Sequence, residues 1–231
     1  PDAVVGVGGY STFPVLRYAQ SRGIPSFVHE SNSFGGKSNR LLGKRATRVF
    51  VASPGMERFF PPGKILLTGN PVRKNIVNST VTRKEGIQFF GLEEGRKTVL
   101  AIGGSLGAKS INEALASHIG EFEKNQLQLI GQTGKTTAAQ YQLAGEKREN
   151  IRIYDFITGM EYAYAAADII VSRSGSTVYE LCVIGKPAVL VPFPFAAEDH
   201  QTANAMNLVD RDAAIIVKDG DAKEKLVSAV I

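Results

Sequence analysis

TVLAIGGSLGAKS, residues 98–110, decides the fold, because it joins an apolar strand to a glycine loop and the start of a helix. After its first residue the strand part is continuously apolar, which is typical of a strand buried on both faces. Glycine at this junction lets backbone N–H groups at a helix N-terminus approach an anion. The stretch therefore predicts one strand, loop and helix unit of a parallel sheet. Tight strand-to-helix turns use glycine with or without a ligand, but a second such loop at GVGGYST (residues 6–12) favours ligand binding.

Ten apolar runs recur along the chain, and most are separated by stretches with helical spacing, among them TTAAQYQLAGEKR at residues 136–148. This alternation is typical of a parallel α/β fold. A strand that ends in Gly-Asn-Pro, at GNPVR (residues 69–73), indicates a boundary between two domains. The sequence predicts two Rossmann-like parallel-sheet domains that face a cleft, residues 1–75 and 76–231. The ten runs are AVVGV, SFVH, RVFVA, KILLTG, TVLAIGG, LQLIG, IRIYDF, DIIVS, AVLVP and AAIIV.

Positive charge is concentrated near the start of the chain. The 231 residues carry a formal net charge of +5, and residues 1–48 hold seven Lys or Arg against Asp2 and Glu30. The excess indicates an anionic membrane surface, a phosphate-bearing substrate or nucleic acid, or else an ordinary solvated face. Nucleic acid is least favoured, because no aromatic residues alternate with the basic ones. With no run of about 18 apolar residues and no signal-peptide pattern, neither a spanning helix nor a signal peptide is predicted.

SGSTVYE, residues 174–180, joins a turn of small residues to a helix. The N–H groups and positive dipole end of that helix could hold a diphosphate, with Ser176 and Thr177 adding hydroxyl donors. Glu180 could then accept hydrogen bonds from two ribose hydroxyls. A ligand-free alternative is a capping box between Thr177 and Glu180. Spacing alone favours neither.

The next loop, PFPFAAEDHQTANA at residues 192–205, favours the ligand site, because its polar side chains follow a strand and suit sugar hydroxyls. A polar loop with a helix cap is the alternative. His29 and Glu30 also follow a strand, where they could perform acid–base chemistry or form a structural pair.

Two familiar nucleotide motifs are not matched. Neither GVGGYST (residues 6–12) nor GGSLGAKS (residues 103–110) reads G-x-G-x-x-G, so NAD is not favoured. GQTGKTT (residues 131–137) is not a phosphate-binding Walker loop, because Leu129 stands where that motif needs glycine.

With these motifs in order, the chain resembles the MurG family of peptidoglycan N-acetylglucosaminyltransferases over nearly all of its length. The motifs are GVGGYS, HESNS, GNPVR, GGSLGA, YDFITGM, SRSGSTVYEL and EDHQTANA. The resemblance implies a GT-B fold and inverting transfer of N-acetylglucosamine from UDP-N-acetylglucosamine to the C4 hydroxyl of the N-acetylmuramyl unit of lipid I, forming lipid II. It also implies no cofactor, no obligatory metal, and peripheral attachment to the cytoplasmic face of the bacterial membrane.

The resemblance implies a role for each domain and each site residue. Residues 1–75 would be the C-terminal part of an acceptor and membrane domain, and residues 76–231 the UDP-sugar donor domain. Donor contacts are expected at Asn32, Arg73, Ser105, Phe156, Ile157, Ser176, Thr177, Glu180 and Gln201. Acceptor contacts are expected at Gly8, Gly9 and Tyr10.

No catalytic base is assigned. The family's first glycine loop, with the histidine often proposed as the base, has no counterpart here, so the base is expected to precede Pro1. His29 and Glu30 are the candidates within the chain. The alternatives to a transferase are another UDP-sugar enzyme of the same fold, such as a UDP-N-acetylglucosamine epimerase, and a catalytically silent nucleotide-binding module.

Overall fold

The computed structural model describes residues 1–135 and 148–231. The chain divides into two compact units, Pro1–Pro71 with Phe195–Asn207, and Val72–Pro194 with Leu208–Ile231. Each unit contains one sheet, and every strand pair in the described residues is parallel. The predicted parallel α/β fold is confirmed, and all ten predicted apolar runs form strands. Apart from Arg148, the helix predicted at residues 136–148 lies outside the described residues.

The first unit is built on a four-stranded sheet with the strands in sequence order. Its core packs Val28 and Val49 of the strands against Leu16 and Leu42 of the helices, and none of these four is more than 2% exposed. Its elements are β1 (Val4–Gly6), α1 (Thr12–Ser21), β2 (Ser26–Glu30), α2 (Lys37–Gly43), β3 (Arg48–Val51), β4 (Ile65–Leu67) and 3-10 turns at Met56–Arg58, Pro62–Lys64 and Ala197–Asp199.

The second unit is built on a six-stranded sheet in the order β10-β9-β8-β5-β6-β7. Its elements are α3 (Lys74–Val77), α4 (Arg83–Phe89), β5 (Lys97–Ile102), α5 (Lys109–Ser117), α6 (Ile119–Lys124), β6 (Leu127–Gln132), β7 (Ile151–Tyr154), α7 (Met160–Ala166), β8 (Ile169–Ser172), α8 (Thr177–Ile184), β9 (Ala188–Leu190), β10 (Ala214–Ile216), a 3-10 turn at Asp219–Asp221 and α10 (Ala222–Lys225). A further helix, α9 (His200–Val209), begins in the first unit and ends in the second.

The central strands of the second unit are buried on both faces, since Val99, Leu100, Leu129, Ile130 and Ile170 are at most 1% exposed. Parallel strands bring their carboxyl ends to one edge of the sheet. The loops after β5, β6, β7 and β8 are therefore neighbours at that edge. Across both described ranges, no helix has the length and apolar character needed to cross a membrane.

Candidate functional site

The glycine loop after β5 is shaped by close backbone packing. Gly104 and Gly107 have φ angles of +81° and +84°, which favour glycine. A Cβ on Gly107 would lie 1.9 Å from the carbonyl oxygen of Thr133, so no side chain fits there. Ser105, a predicted diphosphate contact, is exposed in this loop.

The turn after β8 leads into α8, with Ser176 as the N-cap residue and Thr177 as the first helical residue. Thr177 is already inside the helix, no side chain caps the helix start, and the Glu180 carboxylate accepts from Arg73 and Tyr164, so the capping-box alternative for Thr177 and Glu180 is wrong.

In the first turn of α8 the N–H groups of Val178 and Tyr179 donate to the carbonyls of Gly175 and Ser176 at 3.3 and 3.2 Å. This turn presents its positive dipole end at the functional edge, which is the edge of the sheet formed by the carboxyl ends of the strands.

Arg173 anchors this turn to the strands beside it. Its guanidinium donates to the carbonyl of Val191 at 3.0 Å, to Asp219 Oδ1 at 2.5 Å and to Ser110 Oγ at 3.1 Å. Ser110 stands in the first turn of α5, so one side chain joins β8, β9 and α5. Arg173 thereby connects the turn after β8 to α5, the helix that follows the glycine loop after β5.

Glu180 lies one turn into α8, where Arg73 and Tyr164 converge on its carboxylate. Arg73 Nε donates to Oε1 at 2.9 Å and a terminal nitrogen donates to Oε2 at 3.0 Å. The Tyr164 hydroxyl donates to Oε2 at 2.7 Å. Burial and this hydrogen bond raise the pKa of Tyr164, and the bonds to Glu180 raise the pKa of Arg73. Tyr164 therefore stays protonated and holds the carboxylate in place.

The segment after β7 has committed backbone donors. The Phe156 N–H donates to Asp155 Oδ1 at 2.7 Å, and the Ile157 N–H donates to Gln132 Oε1 at 2.9 Å. Phe156 is 45% exposed and Ile157 is 3% exposed. The structure therefore places the Phe156 ring at the surface, beside a peptide that is held by hydrogen bonds. This arrangement suits a planar base.

In the first unit, the predicted acceptor loop is exposed. Gly8 and Gly9 have φ angles of +90° and +85°, and Tyr10 is 100% exposed. The Thr12 hydroxyl donates to the Gly8 carbonyl at 2.5 Å, which ties the loop to the start of α1.

Glu30 is a buried hub rather than an accessible carboxylate. It is 3% exposed and accepts four hydrogen bonds: from the backbone N–H of Asn32 at 3.1 Å, its Nδ2 at 3.3 Å, the Gly36 N–H at 3.0 Å and Asn39 Nδ2 at 2.8 Å. These bonds position Asn32, a predicted donor contact.

His29 is half-buried beside this hub. Its Nε2 lies 3.2 Å from the Gly69 carbonyl, which can only accept, so Nε2 carries the proton. Its Nδ1 lies 3.2 Å from Ser31 Oγ and accepts from that hydroxyl. His29 thus has a basic nitrogen engaged with a hydroxyl, whereas Glu30 is enclosed.

Gln201 lies in the first turn of α9, in the first unit. One turn further on, Asn204 Oδ1 accepts from the Ser33 N–H at 2.9 Å and its Nδ2 donates to Asn32 Oδ1 at 3.3 Å. The structure thus brings Gln201 and Asn32 into one unit and Arg73, Ser105, Ser176 and Glu180 into the other.

Comparison with known proteins identifies the family. Residues 98–231 match the profile of the glycosyltransferase family 28 C-terminal domain, and residues 1–51 match that of the N-terminal domain. The chain belongs to glycosyltransferase family 28. The GT-B fold class, predicted from the sequence, is confirmed by this family and by the parallel sheets.

Two curated relatives from family 28 bear the name UDP-N-acetylglucosamine–N-acetylmuramyl-(pentapeptide) pyrophosphoryl-undecaprenol N-acetylglucosamine transferase. The protein of Parabacteroides distasonis is 46% identical over 100% of this chain and 64% of its own length. That of Porphyromonas gingivalis strain W83 is 46% identical over 100% of this chain and 62% of its own length. The chain thus spans less than two thirds of these relatives.

Solved structures agree with this family assignment. Acinetobacter baumannii MurG is 33% identical, with a TM-score of 0.76 over 100% of this chain and 65% of that protein. A UDP-GlcNAc 2-epimerase of Methanocaldococcus jannaschii, solved with UDP-GlcNAc and UDP, is 18% identical, with a TM-score of 0.63 over 100% of this chain and 68% of that protein. The second likeness shows the fold alone, whereas the resemblance to the MurG family is confirmed.

Two residues that hold the candidate site in place were missed by the sequence analysis. Tyr164 looks like one more apolar residue of the helical stretch GMEYAYAAA, and Gln132 belongs to the GQTGKTT segment. The sequence signal for Gln132 was a polar side chain at the end of an apolar strand, and for Tyr164 it was a hydroxyl on an apolar helix face. A buried polar group needs a hydrogen-bond partner, so both positions indicated a tertiary contact.

Proposed function

We propose that this chain is the donor-binding and part of the acceptor-binding portion of an inverting N-acetylglucosaminyltransferase. The enzyme transfers N-acetylglucosamine from UDP-N-acetylglucosamine to the C4 hydroxyl of the N-acetylmuramyl unit of lipid I, forming lipid II. The names of the 46% identical relatives support this donor and this acceptor.

The observation that carries the proposal is the carboxylate of Glu180 held beside the N-terminus of α8. Arg73 and Tyr164 orient Glu180 through three hydrogen bonds, so that its remaining lone pair, on Oε1, can accept from a ribose hydroxyl. Ser176 and Thr177 at the helix start, with Ser105 in the β5 loop, bind the diphosphate. The backbone carbonyl groups around Phe156 and Ile157, whose N–H groups already donate to Asp155 and Gln132, bind the uracil N–H, and Asn32, Arg73 and Gln201 complete the donor contacts.

In the reaction the C4 hydroxyl oxygen bonds to C1 of N-acetylglucosamine from the face opposite UDP. The bond from C1 to the phosphate oxygen breaks, UDP leaves with the electron pair, and a base takes the hydroxyl proton. The N-terminal dipole of α8 stabilises the negative charge that grows on the leaving diphosphate. This interaction strengthens in the transition state and therefore accelerates the step.

On the acceptor side, Gly8, Gly9 and Tyr10 contact lipid I. His29 is the better candidate base within the chain, because Glu30 is enclosed by its four hydrogen-bond donors.

The first unit also binds an anionic membrane surface at the cytoplasmic face. Val15 and Tyr18 of α1 and Leu41 of α2 are 59%, 62% and 56% exposed. Arg17 and Arg22 flank Tyr18 in the sequence, and the Arg22 guanidinium lies 5.6 Å from the Tyr18 ring centre. Apolar side chains among basic ones suit an anionic interface, where each well-placed Lys or Arg contributes about 1 kcal/mol.

The test is an assay of the protein with labelled UDP-N-acetylglucosamine and a lipid I analogue. We expect a labelled disaccharide lipid, formed only when the acceptor is present and reduced in Glu180→Ala. Formation of a UDP-linked epimer without acceptor would instead support the epimerase alternative. Nucleotide binding without turnover in either assay would support a silent module.

A further inference from the structure

Gln132, the last residue of β6, connects the loops that follow the strands on either side. In the sheet β6 lies between β5 and β7, and Gln132 is level with Ile102 on one side and Tyr154 on the other. Its side chain is directed to the functional edge, where Nε2 donates to the Gly104 carbonyl at 3.0 Å and Oε1 accepts from the Ile157 N–H at 2.9 Å. One amide therefore joins both loops.

The chemistry of these two bonds fixes the orientation of the amide. A backbone carbonyl only accepts and a backbone N–H only donates, so the side-chain oxygen must lie on the Ile157 side. Gln132 is 5% exposed, so water does not readily replace either partner. An unpaired backbone group at such a depth is costly, and the two loops would have to move to satisfy their groups.

The backbone next to Gln132 adds to this connection. The Gly134 N–H donates to the Asp155 carbonyl at 3.1 Å, and the Thr133 N–H donates to the Tyr154 carbonyl at 2.9 Å. On the other side the Thr133 carbonyl lies against Gly107. The segment after β6 is thus packed between the β5 and β7 loops, with the Gln132 amide at its base.

We propose that Gln132 is a positioning residue that sets the spacing between the base-binding and diphosphate-binding parts of the nucleotide site. The inference rests on the proposed function, in which Ser105 binds the diphosphate and the backbone carbonyl groups at Phe156 and Ile157 read the uracil. A nucleoside diphosphate spans both loops, so its affinity and its base preference depend on their separation. Gln132 contacts no substrate itself and acts through Gly104 and Ile157.

The test compares Gln132→Met with Gln128→Met in the protein. Gln128 is a matched control on the same strand, because it is 1% exposed and its amide bonds the backbone N–H and carbonyl of Glu93 at 2.7 and 2.9 Å. It lies near the amino end of β6, away from the functional edge. Dissociation constants for UDP, CDP and inorganic pyrophosphate are measured by calorimetry, with melting temperatures alongside.

We expect Gln132→Met to weaken UDP binding about tenfold and to reduce the preference for UDP over CDP, since the two hydrogen bonds that hold the loops at their spacing are lost. Gln128→Met should lower the melting temperature similarly but keep both binding quantities. An affinity and a preference within about twofold of the wild type in Gln132→Met would overturn the inference, as would equal losses in both variants. If the wild-type protein binds no UDP, the proposed function fails first. Should Gln132→Met not fold, Gln132→Asn is measured instead, because its shorter amide cannot reach both loops, and the same results decide.

Discussion

Arg73 holds both carboxylate oxygens of Glu180, although the two residues are 107 positions apart in the chain. The side chain of Arg73 is 49% exposed and that of Glu180 is 16% exposed, so the pair lies at the surface of the second unit. A ligand hydroxyl that reaches Glu180 therefore meets a carboxylate already aligned by a planar guanidinium. That both residues bind the donor stays a prediction.

Replacing Glu180 by alanine should weaken UDP binding about tenfold to hundredfold. Loss of hydrogen bonds to a charged group costs about 1.5–3 kcal/mol. Calorimetric titration with UDP measures the change. Glu113→Ala on α5 is the control, because its carboxylate pairs with Lys109 on an exposed helix face and should not alter binding. Normal UDP affinity in Glu180→Ala would refute the ribose assignment.

Tyr164→Phe should weaken UDP binding about threefold to tenfold, because one hydrogen bond that orients Glu180 is lost. The loss should disappear with 2′,3′-dideoxy-UDP, which offers Glu180 no ribose hydroxyl. Tyr162→Phe is the matched control on the same helix, where the Tyr162 ring stacks on Phe89 at 4.4 Å. An equal loss for both nucleotides would mean that Tyr164 supports the fold and not the ribose contact.

The strands could be predicted from the sequence because a strand that is buried on both faces is a continuous run of apolar residues.

Helix α4 was not predicted, because its segment resembles a polar connection between elements. Its signal was nevertheless present at Thr82 and Glu85, which form a capping box in the structure, with the Thr82 N–H donating to Glu85 Oε2 at 2.8 Å. The same pattern at Thr177 and Glu180 forms no cap, because Glu180 is bonded to Arg73 and Tyr164 instead. A four-residue pattern cannot reveal such tertiary partners.

Glu30→Gln should destabilise the first unit by about 2–3 kcal/mol, because an amide cannot accept at both ends and leaves buried donors unpaired. The cost arises among Asn32, Gly36 and Asn39, all bonded to Glu30. Denaturant unfolding measures it. His29→Gln, beside it, should change stability far less. If Glu30→Gln abolished activity with full stability, Glu30 would act in the chemistry after all.

Asp168 should make the second unit sensitive to acid. Burial alone would raise its pKa, but the Thr98 N–H at 2.9 Å, Arg83 at 3.0 Å and Lys97 at 3.1 Å together hold the pKa of Asp168 below its usual value. The folded pKa is therefore lower than the unfolded one. The stabilisation that Asp168 contributes is fully present above the unfolded pKa of about 3.9, and it is lost as the pH falls through the folded pKa.

Asp168→Asn should accordingly cost about 1–2 kcal/mol at pH 7, and its difference from the wild type should shrink below about pH 4. Urea unfolding at a series of pH values measures this trend. Asp221→Asn is the control, because its pair with Lys225 lies at the surface, with the two side chains 44% and 64% exposed, and should contribute little at any pH. A constant difference from pH 7 to pH 3 would contradict the assignment.

Gly107→Ala tests the backbone packing of the predicted diphosphate loop. The left-handed φ of +84° costs a residue with Cβ about 1–2 kcal/mol, and a methyl 1.9 Å from the Thr133 oxygen adds about 1–3 kcal/mol as the two loops move apart. Gly104→Ala has a similar φ of +81° but meets no atom within 4 Å, so it should cost only the first amount. Thermal unfolding of both variants separates the two contributions. Equal melting temperatures would mean that the loop after β6 gives way freely, and then neither Thr133 nor Gln132 could hold the spacing of the nucleotide site.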